Sequence, residues 1–252
     1  MKKIILIPTR LNSKRLPHKA LLEIEKKPLI MHTYFRSKLS KLADEAYVCT
    51  DSEKIISVCK KFNAKYIKTK KTHKNGTERI AEACKKIKLN NKDLVIDVQG
   101  DEPLINPHHI DLVIKFFIKN KFEIVVPNIK MNDGSRSNIV KLVVNKKKQI
   151  KWMSRSSLPF SYSQKRIHYL KHLSIIAFTK KTLIKYSSLN QSKYEKLESV
   201  ELLRAIENNM NLGSFSINSD SFSIDVLDDF IKAKKYFLND KVKFQYEKPK
   251  KD

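Results

Sequence analysis

The chain has 252 residues, of which 41% are hydrophobic, and its 52 Lys and Arg against 26 Asp and Glu give a formal net charge of +26. This length suits one α/β domain, and no apolar run reaches the roughly 18 residues that a membrane span needs. The first residues lead directly into an apolar strand, so we expect no signal peptide. Cys49, Cys59 and Cys84 match no zinc pattern and favour reduced thiols in the cytoplasm.

The basic charge by itself points to a nucleic-acid partner. The lysines, however, are spread along the whole chain, which indicates a compositional bias rather than a binding patch. No helix alternates basic and aromatic residues, and no known nucleic-acid module is visible. We therefore expect no specific nucleic-acid binding, only weak non-specific binding at low salt.

The first predicted element is a strand over residues 4–7, whose unbroken apolar run is typical of a strand buried on both faces of a parallel sheet. Open α/β sheets bind ligands beyond the carboxyl ends of their strands. Only eight of the cationic residues are arginines, and two follow this strand, where guanidinium groups would suit phosphate. The loop is a candidate triphosphate site, with a solvated basic loop as the alternative. Its polar residues are Arg10, Ser13, Lys14, Arg15 and Lys19.

Helices and strands alternate beyond this loop, which predicts a parallel sheet. We expect a helix over 28–41, a strand over 46–50, a helix that Asp51 caps and that ends at Lys61, and a strand over 66–67.

A turn at Asn75-Gly76 precedes the next predicted helix, over 78–88, with Thr77 as its cap. Gly76 is one of only four glycines, which indicates a close approach of the backbone to another group. The helix N-terminus, with Arg79 in the first turn, is a candidate site for a phosphate or a base edge. An ordinary capped helix is the alternative.

The apolar strand that begins at Leu94 ends in Gly100, and the carboxylates Asp101 and Glu102 follow at its tip. A carboxylate pair facing a basic loop is what a Mg²⁺-nucleotide needs, because this ion prefers hard oxygen ligands. The alternative is a polar turn in which Asp101 caps the following helix.

The rest of the chain carries no internal repeat and no low-complexity linker, so we expect one domain over 1–252. Further elements are helices over 107–119 and 193–209, strands over 123–127, 139–145 and 168–178, and a last helix that Asp225 caps.

These motifs, in this order, resemble those of the 3-deoxy-manno-octulosonate (Kdo) cytidylyltransferase family. Residues 13–19 resemble the family's S-x-R-L-P-G-K, with His18 in place of glycine, and 75–79 resemble S-G-T-E-R. Residues 98–103 keep the family's V-Q-G-D-E-P intact, whereas sialic-acid cytidylyltransferases carry a Q-P-T-S-type sequence there. Weaker resemblances surround Arg155, His172, Glu201 and Asp225.

The resemblance implies a role for each candidate residue. Without the resemblance, His172 is more often a satisfied core histidine, and a surface ion-pair row is the alternative for Glu201. The implied catalytic residues are Lys19, Asp101 and Asp225, of which Asp101 and Asp225 bind Mg²⁺. The implied nucleotide-binding residues are Arg10, Ser13, Arg15, Lys19, Gly76 and Arg79. The implied sugar-binding residues are Gln99, Arg155, His172 and Glu201.

The resemblance also implies a Rossmann-like nucleotidyltransferase fold of the α/β class, with a mostly parallel central sheet and a dimerisation insertion near 150–180. The implied enzyme is a cytoplasmic homodimer that converts CTP and Kdo to CMP-Kdo and pyrophosphate for lipopolysaccharide biosynthesis. Another acidic sugar is the nearer alternative, because Ile176 and Leu202 stand where the family has Tyr and Gln. A non-catalytic basic protein that binds nucleic acids or anions is the remote one.

Overall fold

The computed structural model describes residues 1–13, 15–162, 167–218 and 222–247, so the loop cation Lys14 lies outside the described residues. Ten strands of this part form one sheet, and two short strands, β2 (Glu23–Ile24) and β3 (Lys27–Pro28), form a separate hairpin. The strands of the sheet are β1 (Lys3–Pro8), β4 (Glu45–Thr50), β5 (Tyr66–Lys68), β6 (Leu94–Val98), β7 (Ile124–Met131), β8 (Lys141–Val144), β9 (Ile150–Ser154), β10 (Tyr169–His172), β11 (Ile175–Thr179) and β12 (Leu212–Ser216).

Helices connect and cover these strands. A 3₁₀ helix, Lys19–Leu21, follows the loop after β1. The α-helices are α1 (Leu29–Lys38), α2 (Glu53–Lys61), α3 (Gly76–Lys86), α4 (Pro107–Lys119), α5 (Lys180–Ser187), α6 (Lys193–Glu198), α7 (Leu203–Glu207), α8 (Leu227–Leu238) and α9 (Phe244–Glu247). No helix in the described ranges is long and apolar enough to cross a membrane.

The sheet order is β5-β4-β1-β6-β11-β7-β10-β8-β9, with β12 paired to β7. Strands β5, β4, β1 and β6 run parallel, whereas β11 is antiparallel to both of its neighbours. Leu6 of β1 lies opposite Tyr47 on one side and Asp97 on the other. The loops that follow β1 and β6 therefore leave the sheet side by side, and the predicted α/β fold is confirmed.

The alternating side chains of β1 build the core on both faces of the sheet, as expected for a buried parallel strand. Ile4 and Leu6 belong to the cluster that includes the inner face of α3, and Ile5 and Ile7 belong to the one that includes α1 and α4. A third cluster joins α8 to the β2–β3 hairpin, with Phe230 in it. Helix α8 is thereby held against the segment that carries the 3₁₀ helix.

Three predicted helix caps are wrong by one or two residues. The Ser52 hydroxyl, not Asp51, caps α2, and the Asn75 carboxamide, not Thr77, caps α3. Helix α8 begins after Val226 rather than at Asp225. In each case the predicted residue uses its side chain for a contact elsewhere in the fold.

Two predicted elements are each divided. The strand over 168–178 becomes β10 and β11, because the chain moves from a pairing with β8 to one with β6. The helix over 193–209 becomes α6 and α7, because Ser199 adopts a φ of 50°. The strands β9 and β12, helix α5 and the β2–β3 hairpin were not predicted.

The segment near 150–180 contains β9, β10, β11 and an intervening loop. In that loop Phe160 and Tyr162 are 79% and 93% exposed, and residues 163–166 lie outside the described part. Dimerisation through this segment stays a prediction.

A buried ion pair bridges the break between α6 and α7. Arg204 Nε and Nη2 donate to Glu195 Oε2 and Oε1 at 2.7 and 2.6 Å, and both side chains are 3% exposed. Removing one partner leaves a buried charge without compensation, which typically costs about 3–5 kcal/mol. The pair therefore fixes the turn that carries residues 199–202.

We expect Glu195→Gln to lower the free energy of unfolding by about 3 kcal/mol, because the Arg204 guanidinium loses a charged partner in the protein interior. Urea unfolding followed by circular dichroism measures this change. Glu53→Gln, which removes an exposed ion pair with Lys68, is the matched control and should leave the unfolding midpoint unchanged. Equal effects of the two changes would contradict a structural role for the buried pair.

Candidate active site

A cavity of about 540 Å³ opens where β1 and β6 end. The loop after β1 forms one wall, the residues after β6 form the floor, and the first turn of α3 forms another wall. The cavity brings together ten of the twelve residues that the sequence singles out. These are Arg10, Ser13, Arg15, Lys19, Gly76, Arg79, Gln99, Asp101, Glu201 and Asp225.

Lys19 lies at the centre of the charged groups. Its ammonium donates to Asp101 Oδ2 at 2.7 Å and to Asp225 Oδ1 at 3.3 Å. Arg15 Nη2 lies 2.8 Å from the same Asp225 oxygen. Two carboxylates that lie far apart in the sequence thus share one cation at the mouth of the cavity.

Asp225 reaches this position because the residue before it is anchored. The backbone N–H of Ile224 donates to the Asp101 carbonyl at 3.0 Å, and its carbonyl accepts from Lys19 Nζ at 2.6 Å. The Asp229 carboxylate accepts from the backbone N–H of Asp225, which leaves the Asp225 side chain directed to Lys19.

His18 occupies the place where the family pattern has glycine. Its φ of 53° and ψ of 24° lie in the left-handed region that favours glycine. A non-glycine residue there costs on the order of 1–3 kcal/mol. This conformation turns the chain into the 3₁₀ helix, so Lys19 enters the cavity despite the substitution.

The first turn of α3 lies close to the end of β1. A Cβ atom at Gly76 would lie 3.1 Å from Pro8 Cγ and 3.5 Å from Gln99 Nε2, which confirms the expected close approach. Arg79 lines the cavity, but its guanidinium contacts Asp51 at 2.8 Å and Thr69 at 2.5 Å. It holds the strand and loop before α3 in place, and a direct contact with nucleotide stays a prediction.

A second cavity of about 180 Å³ adjoins the first and shares Gln99 and Glu201 with it. His172 lines it, and burial lowers the pKa of this imidazole to about 4, so the ring is neutral at pH 7. Burial also raises the pKa of Glu201, whose Oε2 accepts from Thr77 at 2.6 Å. The remaining wall is largely apolar, with Val140, Met153, Ile176, Val200 and Leu202.

Arg155 is the twelfth residue, and it lines neither cavity. Its guanidinium donates to the backbone carbonyls of Ser137, Glu198 and Ser199, at 2.7 to 3.2 Å. It therefore supports the turn between α6 and α7, and a direct contact with the sugar stays a prediction.

Two groups at the site were missed by sequence reasoning. His73 lines the first cavity, and its Nε2 lies 2.5 Å from Glu82 Oε2. Burial opposes the ionisation of Glu82, but hydrogen bonds from Lys86, the Lys70 backbone and His73 hold its pKa at about 2.

Asp97 is the second group, and it is fully buried beneath Gln99. The signal for Asp97 was a single carboxyl group in an otherwise apolar strand.

The comparisons with known proteins agree with this geometry. The family described as Cytidylyltransferase matches residues 4–212. A 3-deoxy-manno-octulosonate cytidylyltransferase of Chloroherpeton thalassium is 38% identical over 247 residues, covering 93% of this chain and 97% of the relative. An 8-amino-3,8-dideoxy-manno-octulosonate cytidylyltransferase of Shewanella sp. (strain W3-18-1) is 35% identical, covering 92% of this chain and 97% of the relative.

Among solved structures, a CMP:2-keto-3-deoxy-manno-octonic acid synthetase complexed with CTP matches with a TM-score of 0.90 and 29% identity, covering 94% of this chain and 99% of that one. A 4-diphosphocytidyl-2C-methyl-D-erythritol synthase from Anaerococcus prevotii, with 14% identity and a TM-score of 0.65, covers 94% of this chain and 97% of that one and shares the fold. This chain is a nucleotidyltransferase and belongs to the 3-deoxy-manno-octulosonate cytidylyltransferase family.

Proposed function

We propose that the protein transfers CMP from CTP to the anomeric hydroxyl of Kdo or of a close relative and releases pyrophosphate. The observation that carries the proposal is the pair of carboxylates, Asp101 and Asp225, gathered on Lys19 beside a cavity whose other wall is cationic. The related 3-deoxy-manno-octulosonate cytidylyltransferases indicate the sugar acid, and the related structure complexed with CTP indicates the nucleotide.

The triphosphate would lie along the loop after β1. Arg10 is exposed and has no acidic partner among the described residues, so its guanidinium is available for phosphate. Lys19 and Arg15 are already paired with carboxylates, and a polyanionic ligand would compete for them. These cations would neutralise charge that develops on the departing pyrophosphate.

Asp101 and Asp225 fit a divalent cation such as Mg²⁺. Both offer hard carboxylate oxygens, and these two oxygens lie within 3.3 Å of one ammonium nitrogen. The described residues contain no group of three or more His, Cys, Asp or Glu side chains that would form a complete site. Two carboxylates completed by phosphate oxygens and water are the usual arrangement for Mg²⁺. A bound cation would withdraw charge from the phosphate oxygens.

The reaction joins the anomeric oxygen to the α-phosphorus while the bond from that phosphorus to pyrophosphate breaks. The hydroxyl loses its proton to solvent. Positioning and electrostatics do most of the work in such transfers, and the protein forms no covalent intermediate. The two adjoining cavities suit this task, because Gln99 and Glu201 lie where the nucleotide and the sugar would meet.

The second cavity bears on which sugar acid is used. Ile176 and Leu202, which replace polar residues of the family pattern, both line it. An 8-amino-substituted or less hydroxylated relative of Kdo is therefore a second candidate substrate, and the names of the curated relatives include both sugars.

We further propose that the enzyme acts in the cytoplasm as a homodimer. The described cysteines, Cys49, Cys59 and Cys84, are free and buried, which suits a reducing compartment. The exposed Phe160 and Tyr162 suit an interface in the segment near 150–180.

Pyrophosphate release, measured with a panel of nucleoside triphosphates and sugar acids, tests the proposed function. We expect turnover only with CTP together with Kdo or its 8-amino relative. If no pair of substrates gives pyrophosphate release and the protein binds DNA in a salt-sensitive way, the non-catalytic alternative is favoured instead.

We expect Asp101→Asn and Asp225→Asn each to lower kcat by about a hundredfold or more, because each removes a charge that the reaction centre uses. Circular dichroism should show an unchanged fold. Asp228→Asn, an exposed position in the first turn of α8, is the control and should keep normal activity. Near wild-type turnover of either variant at saturating Mg²⁺ would exclude the metal assignment.

We expect Lys19→Gln to lower kcat strongly, because Lys19 is the one ammonium that contacts both Asp101 and Asp225 in the described structure. Lys26→Gln, which removes an equal charge at an exposed position of the β2–β3 turn, should have no effect. Steady-state pyrophosphate release compares the two. Equal losses would mean that Lys19 acts only through the overall charge of the protein.

We expect the double change Ile176→Tyr and Leu202→Gln to lower KM for Kdo, because each new polar group can pair with a substrate hydroxyl. A recovered hydrogen bond is worth about 1 kcal/mol, so the combined effect is about tenfold or more. KM for CTP is the internal control and should stay constant. An unchanged KM for Kdo would show that these positions carry no binding energy.

A further inference from the structure

Asp97 is a carboxyl group in the middle of β6, where it does nothing for strand formation. All five residues of β6 are buried, and the other four are Leu, Val, Ile and Val. Asp97 is 0% exposed and lies opposite Leu6 of β1 and Ile176 of β11. Burying such a group is unfavourable unless hydrogen bonds compensate.

The compensation comes from one side chain. Gln99 Nε2 lies 3.0 Å from Asp97 Oδ1 and 3.1 Å from Oδ2, and within the described ranges no other group donates to this carboxyl. A single carboxamide nitrogen shared by two oxygens offsets only a small part of the cost of burying a carboxyl group. The contact therefore contributes little to stability, and stability does not explain why a carboxyl group occupies this position.

Gln99 supplies that reason, because it lines both cavities. With its Nε2 held by Asp97, the Oε1 atom is the free end of the amide, and no side chain of the described structure donates to it. An oxygen presented in this way accepts a hydrogen bond but cannot donate one.

We propose that Asp97 is a positioning residue that fixes the Gln99 amide, so that Oε1 faces the junction of the two cavities and accepts a hydrogen bond from a hydroxyl of the sugar acid. This inference rests on the proposed function and assigns a chemical preference within it. The acceptor would repel the sugar carboxylate, so that carboxylate lies elsewhere. Without Asp97 the amide could turn over and present Nε2, a donor, to the same place.

The surroundings of Asp97 agree with this role. Burial, and then the neighbouring Glu201, raise the pKa of Asp97. A protonated Asp97 still offers a carbonyl oxygen to Gln99 Nε2, so the orientation of the amide does not depend on the negative charge. The role therefore survives in either protonation state.

The test is a double-mutant cycle with Asp97→Leu and Gln99→Leu, in which the kinetics of pyrophosphate release and the thermal midpoint are both measured. Asp97→Leu should raise KM for the sugar acid about tenfold, the equivalent of one hydrogen bond, and leave KM for CTP unchanged. Its thermal midpoint should stay equal or rise, because an apolar side chain replaces a poorly compensated buried acid.

Two further variants separate positioning from packing. Asp97→Asn keeps an oxygen for Gln99 Nε2 and should retain KM within about threefold, which is a free-energy change below that of one hydrogen bond. If Asp97→Leu fails to fold, Asp97→Val replaces it in the test, because valine suits a strand, and it should show the same increase of about tenfold in KM for the sugar acid. In the Gln99→Leu background, Asp97→Leu should add no further loss.

Additive losses in the double variant would overturn the inference, as would a lower midpoint of Asp97→Leu with equal increases of both KM values. Each of these results would leave the proposed function standing, because the wild type would still turn over Kdo or its 8-amino relative. A wild-type enzyme that releases no pyrophosphate with either sugar would overturn the proposed function and this inference with it.

Discussion

The ammonium of Lys19 is the interaction on which the arrangement of the site depends. It joins a residue that follows β6 to one that precedes α8, and it does so from a 3₁₀ helix that follows β1. The hydrogen bond from the Ile224 N–H to the Asp101 carbonyl and the Arg15–Asp225 ion pair add to this link at the cavity mouth. The side chains of Lys19, Asp101 and Asp225 are only 15%, 28% and 27% exposed, so their mutual attraction is less screened than on an open surface.

The wall that adjoins the second cavity is held by contacts of a different kind. The Glu195–Arg204 pair fixes the turn between α6 and α7, and Arg155 binds carbonyls of the same turn. Thr77 then donates to Glu201 across the cavity. This last contact is possible because Asn75 caps α3 and leaves the Thr77 hydroxyl free. A shift of two residues in a helix cap thus links α3 to the opposite wall of the second cavity.

Elements with strong local patterns could be predicted from the sequence: α4 begins and ends where the apolar pattern indicates, and β6 begins where it indicates but ends at Val98, before Gly100. Strand β12 could not, because Gly213 and Ser214 interrupt the pattern, and the buried Ser214 hydroxyl finds its hydrogen-bond donor in Asn128 of β7. At the site, motif residues at strand ends converge as expected. The contacts of Arg79 and Arg155 with backbone carbonyls and structural side chains depend on tertiary packing, which no linear motif records.

The distribution of charge explains how one protein can accept two anionic substrates side by side. A net charge of +26 attracts both from solution, which favours encounter but not selectivity. At the first cavity the cations are exposed or shared with carboxylates, so a triphosphate can replace those partners. At the second cavity burial raises the pKa of Glu201, and His172 is neutral; burial also raises the pKa of Asp97, which lies beneath Gln99. A raised pKa shifts each acid toward its neutral form, which repels a sugar acid less and still offers oxygen acceptors. In the proposed reaction, the sugar would therefore be selected by hydrogen-bond direction, whereas the nucleotide would be held by charge.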